Sequence, residues 1–134
     1  IEIEEDLFKA AKGADVLYQV ANQAGTGVIK AAEERGILAF GNSYDQSSIS
    51  PKTVVSSTVY SMPKVILTGV KQVIDGDFKG GVVHLGMAEE VVGISGYGAF
   101  DSTLSSDLKD KIEAAKKDII SGALKVPVIE TPTK

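Results

Sequence analysis

From Ala14 onward the apolar residues fall into short runs separated by polar turns punctuated with glycine. In the first run Val16, Tyr18 and Val20 alternate with Leu17 and Gln19, so both faces are apolar until the glutamine, which predicts a central strand of a sheet covered on both sides. Between Ala24 and Gly36 the period changes to that of a helix. Val28, Ile29, Ala31 and Ala32 face one way, Lys30, Glu33, Glu34 and Arg35 the other, and Gly36 stands where a left-handed cap is favoured. Ile37 to Phe40 form a second apolar run. Strand, helix and strand make a βαβ unit with a right-handed crossover. Its turns, Ala21 to Thr26 and Asn42 to Gln46, lie along the edge where open parallel sheets bind ligands.

Ahead of this unit, Ile1 to Lys12 has the pattern of a short helix, with Leu7, Ala10 and Ala11 on one face. After it, Gly41 to Pro51 is a polar loop, long for a connector. Thr53 to Tyr60 is β-branched and alternating, a strand, and Ser61 with Pro63 marks the start of a helix that runs to about Ile74. Met62, Val65, Ile66, Leu67, Val70, Val73 and Ile74 cover more than half of that helix, which therefore needs a second apolar partner. Val82, Val83 and Leu85 read as a strand, and so do Val91 to Ile94. Ser105 or Ser106 caps a last helix with Leu108, Ile112, Ala115 and Ile119 on one stripe, closed by Gly122; Lys125 to Ile129 reads as an edge strand because Pro127 cannot donate to a ladder.

Composition narrows the function classes. With 134 residues, 43% of them hydrophobic, the chain supports one modest core. A net charge of −4 with scattered lysines offers no cluster to replace phosphate counterions, so no nucleic-acid partner is expected. The absence of cysteine excludes a disulfide framework, a thiolate metal site and a cysteine nucleophile. No apolar run of about 18 residues is present. The chain begins at Ile1 rather than Met, as expected of a processed or dissected piece.

The candidate chemistry sits at the two turns. AGTG at positions 24–27 reads either as a tight strand-to-helix turn or as an anion cradle, and it matches no phosphate-loop pattern. Asn22, Gln23 and Thr26 both donate and accept hydrogen bonds, which suits a neutral polar ligand. Ser43, Tyr44 and Asp45 follow the second strand, as ligand contacts or as turn caps. His84, the one histidine, reads as a structural residue inside a strand. Glu4, Glu5, Asp6, Glu89 and Glu90 read as solvated charges rather than metal ligands, and no nucleophile, base and orienter come together. No catalysis, cofactor or metal is expected.

Five stretches carry a resemblance to a known family: GADVLYQVANQAGTGV (13–28), AFGNSYDQ (39–46), KTVVSSTVYSMPKVI (52–66), IDGDFKGGVVHLGMAEEVVGISGY (74–97) and DKIEAAKKDIISGALKVP (110–127). Their order and spacing over nearly the whole chain resemble the basic membrane protein family of bacterial substrate-binding lipoproteins, among them purine nucleoside receptors of ABC uptake systems. The resemblance implies an α/β fold of the periplasmic-binding-protein type I kind: a mostly parallel sheet flanked by helices, in two lobes that close on ligand. This chain is similar to the C-terminal portion. It implies a core βαβ of the second lobe at 14–52, a hinge strand and helix at 53–80 packing on a first lobe outside the chain, and a return to the second lobe at 81–134.

The resemblance also implies a site built from Val20, Ala21, Asn22, Gln23, Ser43, Asp45 and Ala88. The family motif FQVAGGTG is matched at Gln19, Val20 and Ala21, while Asn22 and Gln23 replace two glycines and bring larger side chains to the pocket. In GVDSDQ the ribose-holding aspartate is replaced by Ser43, with Asp45 and Gln46 matching, and the lysine of GLKEGGVG is replaced by Ala88. Without those two charged contacts, a free purine base or another small polar molecule fits better than a nucleoside. The implied partners are a purine-like ligand, an ABC permease engaged by the intact protein, and either the first lobe or a self-associated, possibly swapped, dimer. The implied location is extracytoplasmic, on the bacterial cell membrane through a lipid anchor on an N-terminus outside this sequence. A cytoplasmic ligand-responsive regulator on the same fold is the alternative.

Overall fold

The computed structural model describes residues 13–127. The elements run β1 (Val16–Tyr18), α1 (Gly25–Arg35), β2 (Leu38–Gly41), β3 (Val54–Tyr60), α2 (Met62–Ile74), β4 (Val92–Ile94) and α3 (Ser106–Ser121), with 3-10 turns at Asn22–Ala24 and Gly98–Phe100. The sheet order is β1-β2-β3-β4. β1, β2 and β3 are parallel, with Tyr18 beside Phe40 and Phe40 beside Ser56, and β4 runs antiparallel, with Val92 beside Tyr60. A register shift between Ala39 and Phe40 lets Val55 bulge out of the ladder.

The βαβ unit forms as the periodicity predicts. α1 buries Val28, Ile29, Ala31 and Ala32, and Gly36 ends it at φ 64° with its N–H on the carbonyls of Ala32 and Glu33. Ile29 and Ala32 meet Ala39 and Val54 in the core, with Leu17, Ile37 and Ile49 packed around them. Full burial of Ile29 is worth about 2–3 kcal/mol, which makes the α1 contact the anchor of the sheet.

Several sequence expectations change in the structure. β1 is the edge strand of the described sheet rather than a central one, because α1 delivers the chain to one side of it and no described strand pairs on the other. Along β2 the sheet is covered on one face only, Ala39 being buried against α1 while Leu38 and Phe40 look outward beside Val16 and Tyr18; β3, by contrast, buries Val54, Val55, Ser56 and Ser57 in succession. Val82 to Leu85 is irregular rather than a strand, and Val82 is 85% exposed. Strand backbone needs a ladder partner, and this segment pairs with none of the described strands. His84 is accordingly exposed, not a buried structural residue. The helix expected over Ile1 to Lys12 and the end of the strand expected over Lys125 to Ile129 lie outside the described residues, and Lys125, Val126 and Pro127 are irregular.

α2 has the predicted bounds and buries none of its residues; Met62, Ile66, Leu67, Val70, Val73 and Ile74 are all exposed. Pro63 occupies its first turn, but the Ser61 side chain does not cap it; the Ser61 carbonyl accepts from Val65 N–H instead. Ser105 does cap α3, its Oγ accepting from Leu108 N–H at 3.3 Å, and Gly122 closes that helix at φ 78°.

Candidate functional site

Three parallel strands deliver three exits to one edge of the sheet: Gln19 to Ala24 after β1, Asn42 to Gln46 after β2, and Ser61 after β3. β4 is antiparallel and pairs Val92 with Tyr60, so the turn that leads into it starts from the same edge. That turn is closed by Glu90 N–H on the Met87 carbonyl and by Val91 N–H on the Gly86 carbonyl, and Ser61 N–H fastens it to the Val91 carbonyl. All seven residues expected at the site therefore share this edge. Val20, Ala21, Asn22 and Gln23 stand at its β1 end, Ser43 and Asp45 beside them, and Ala88 at the β4 end, about 14 Å along at three inter-strand spacings.

Two buried glutamines join the first two loops. Gln46 Oε1 accepts from Asn42 N–H at 3.1 Å and from Gln19 Nε2 at 2.8 Å, and Gln19 Oε1 accepts from Ala21 N–H at 2.9 Å. Gln46 N–H donates in turn to Ser57 Oγ on β3 at 3.1 Å. Two glycines make room for these side chains. A Cβ on Gly25 would overlap the Gln19 amide, and one on Gly41 would come within 2.7 Å of Gln46 Oε1.

A second polar cluster lies on the uncovered face. Asn42 Nδ2 donates to the Tyr18 hydroxyl at 2.8 Å and to Thr58 Oγ1 at 3.1 Å, with the Tyr60 hydroxyl at 3.4 Å. Asn42 Oδ1 accepts from Ser43 Oγ at 2.8 Å, and the Ser43 carbonyl accepts from Tyr60 N–H, tying the β2 exit to the end of β3. Among the described residues no such link joins Ala88 to the first two loops.

The expected residues divide by environment. Val20, Ala21, Asn22, Gln23, Asp45 and Ala88 are exposed and Ser43 is half-buried. The side-chain amides of Asn22 and Gln23 make no hydrogen bond among the described residues and remain available to a ligand. Asp45 Oδ1 accepts from Ser47 N–H at 3.0 Å, so it also caps its own turn. Thr26 Oγ1 donates to the Gln23 carbonyl, closing the first turn of α1.

Non-glycine residues with positive φ mark each of the three loops: Asn22 at 50°, Ser43 at 75° and Glu90 at 55° are the ones found among the described residues. Such backbone costs about 1–3 kcal/mol per residue and persists where the surroundings over-determine it. At Ser43 the surroundings are the Asn42 and Gln46 networks. At Glu90 they are the closed turn and an ion pair with Lys64, whose ammonium holds the Glu90 carboxyl below the usual carboxylate range.

A cleft of about 530 Å³ opens between β3–β4 and the C-terminal half of α3, with Met87, Val91, Lys116 and Ile120 on its walls. It adjoins the Ala88 end of the edge and does not reach the first two loops. Among the described residues no group of three or more His, Asp or Glu is placed to hold a metal ion, and no helix is long and apolar enough to cross a membrane.

Sequence reasoning missed the partnership of Gln19 with Gln46 and that of Asn42 with Tyr18, Thr58 and Tyr60. The available signals were a glutamine directly after the apolar run Val16 to Tyr18, and tyrosines near the ends of two strands that leave at the same edge.

The chain is 32% identical over 115 residues to basic membrane protein B of Borreliella afzelii, an alignment covering 82% of this chain and 33% of that protein. It is 29% identical over 123 residues to a purine-binding protein of Brucella abortus, covering 90% of this chain and 33% of that one. It thus spans about a third of the length of these curated relatives. Among solved structures, an ABC transporter solute-binding protein of Aeropyrum pernix superposes with a TM-score of 0.73 at 24% identity, over 96% of this chain and 44% of that one. A transcriptional activator of the comK gene from Bacillus halodurans gives 0.76 at 21% identity, over 92% and 42%. These two show the fold, a solute-binding-protein α/β architecture with a mostly parallel sheet. The model of the family described as ABC transporter substrate-binding protein, PnrA-like, matches residues 2–130, and the chain belongs to that basic membrane protein family, one of solute binders rather than enzymes.

Proposed function

We propose that this chain is part of the extracytoplasmic solute-binding component of an ABC uptake system, and that its sheet edge helps to hold a purine base, a nucleoside or a similarly small polar ligand without covalent chemistry. The observation that carries the reading is the pair of exposed amides of Asn22 and Gln23, without a hydrogen bond among the described residues, on a loop fastened to Gln19 at the carboxyl ends of the parallel strands. Carboxamides match the adjacent donor and acceptor on a purine edge. A relative named as purine-binding supports that ligand class, and relatives named as lipoproteins, such as one of Pyrococcus abyssi, support the location. A lipid anchor would lie outside these 134 residues. The exposed apolar side of α2 and the uncovered sheet face are the surfaces that a first lobe, or a second copy, would cover.

Ligand capture on this reading is a population shift toward a closed form, driven by contacts made only when both lobes touch the ligand, and the closed form is what a permease recognises. The likeness to a transcriptional activator is one of fold, and it lends no support to a regulator. Titration calorimetry of the intact protein with hypoxanthine, adenosine and inosine tests the proposal. One of them binds, and Asn22→Ala weakens that binding about fivefold, the loss of one hydrogen bond of about 1 kcal/mol. Absence of binding by all three refutes the purine reading, and unchanged affinity in the variant removes Asn22 from the site.

A further inference from the structure

The two loops that carry most of the exposed site residues share no hydrogen bond through those residues. They are joined through Gln19 and Gln46, which are buried to 4% and 1% exposure. Neither amide has freedom in its orientation, because each oxygen faces a backbone donor. Ala21 N–H requires Oε1 of Gln19, and Asn42 N–H requires Oε1 of Gln46. The Gln19 Nε2 group is then left to donate to Gln46 Oε1, which closes a relay from Asn42 N–H through both amides to Ala21 N–H. The relay starts on the residue before Ser43 and ends on the residue before Asn22, two of the positions where the backbone has positive φ.

We propose that Gln19 and Gln46 are positioning residues, whose paired amides set the spacing and backbone conformation of the two ligand loops before any ligand arrives. They do not themselves reach the ligand: both lie beneath the loops, and the close approaches to Gly25 and Gly41 hold them there. This rests on the reading of those loops as the ligand site. Three features support it. The fixed polarity of the relay means that its hydrogen bonds cannot be re-formed by flipping either amide. The backbone donors it satisfies are on the ligand loops and not in the sheet ladder. Binding loops held in place before binding lose less conformational freedom when ligand arrives, so the relay raises affinity without a ligand contact.

The test compares Gln46→Leu with Gln46→Glu in the intact protein. Leucine removes the acceptor and leaves Asn42 N–H and Gln19 Nε2 unpaired; glutamate keeps an oxygen for both. Binding of hypoxanthine and adenosine should weaken about tenfold or more in Gln46→Leu and recover to within about threefold of the unmutated protein in Gln46→Glu. A purely structural role would lower thermal stability in Gln46→Leu while leaving the affinity of the folded fraction unchanged, and that result overturns the proposal. Amide hydrogen exchange supplies a readout that needs no ligand. In Gln46→Leu, exchange at Ala21 should accelerate together with exchange at Asn42, although Ala21 meets Gln46 only through Gln19. Exchange at Ala21 that does not change while Asn42 accelerates refutes the relay. If hypoxanthine, adenosine and inosine all fail to bind the unmutated protein, the purine reading fails while the exchange result still decides the relay.

Discussion

Substitution of Gly25 by alanine isolates the energetic role of the buried amides. Gly25 is an ordinary right-handed helical residue at φ −61°, so alanine is free of backbone strain there and gains up to about 0.5–1 kcal/mol of helix propensity. The new Cβ, however, would overlap Oε1 and Cδ of Gln19 and lie 2.6 Å from its Nε2. Gln19 is a flexible side chain and can swing aside, and what is lost is then its two hydrogen bonds, to Ala21 N–H and to Gln46 Oε1. At about 1 kcal/mol each, with a further penalty for any donor left buried, the loss is about 2–3 kcal/mol, and the net destabilisation about 1–2.5 kcal/mol. In a Gln19→Ala background those bonds are already gone and the space is empty. There Gly25→Ala should be neutral or stabilising, giving a coupling of about 2 kcal/mol between the two sites. Urea unfolding of the purified protein, followed by circular dichroism for the four members of the cycle, measures this. A Gly25→Ala cost that is the same in both backgrounds refutes the steric and hydrogen-bond account of the site floor.

The ion pair of Glu90 with Lys64 lowers the folded-state pKa of Glu90, so its contribution is present above the ordinary glutamate range and is lost as pH falls through the lowered value; a carboxyl titration by NMR should show Glu90 below an ordinary glutamate, returning upward in Lys64→Ala. The exposed apolar side of α2 predicts that the 134-residue chain studied alone self-associates at micromolar concentration in sedimentation, and that charge at Ile66 and Val70 reduces this; a strict monomer before substitution contradicts it.

The βαβ core was legible because its signals are local. Gly36 and the spacing of Val28, Ile29, Ala31 and Ala32 settle α1 without reference to anything else, and the Ser105 cap and Gly122 stop do the same for α3. Strands were less legible, since pairing is not written in the strand itself. Val82, Val83 and Leu85 have the composition of a strand and pair with none of the described strands, and β1 carries the composition of a central strand while standing at the edge. Both misreadings have the same source: apolar residues suited to surfaces that the described residues do not cover. The width of the apolar surface on α2 announced that from sequence alone, and the structure leaves that surface exposed.

The site was legible to the level of which loops meet, because parallel strands place their exits at one edge by topology. The roles within the loops were not. Gln19 and Gln46 are polar residues at strand exits, and nothing in their spacing tells a ligand contact from a buried brace; that distinction needed the backbone donors they face and the missing Cβ atoms of Gly25 and Gly41. Asn42 likewise lies within a stretch of turn formers, yet it is buried at 6% exposure and gathers the hydroxyls of two strands.

On this reading, ligand is held at the edge formed by the first two loops. Amide chemical-shift mapping of the isotopically labelled intact protein, titrated with hypoxanthine and with adenosine, decides the matter. The largest shifts should fall at Val20 to Gln23 and Ser43 to Asp45, with a smaller response at Ala88. Shifts confined to the cleft walls near Val91 and Ile120, with those loops silent, would contradict it.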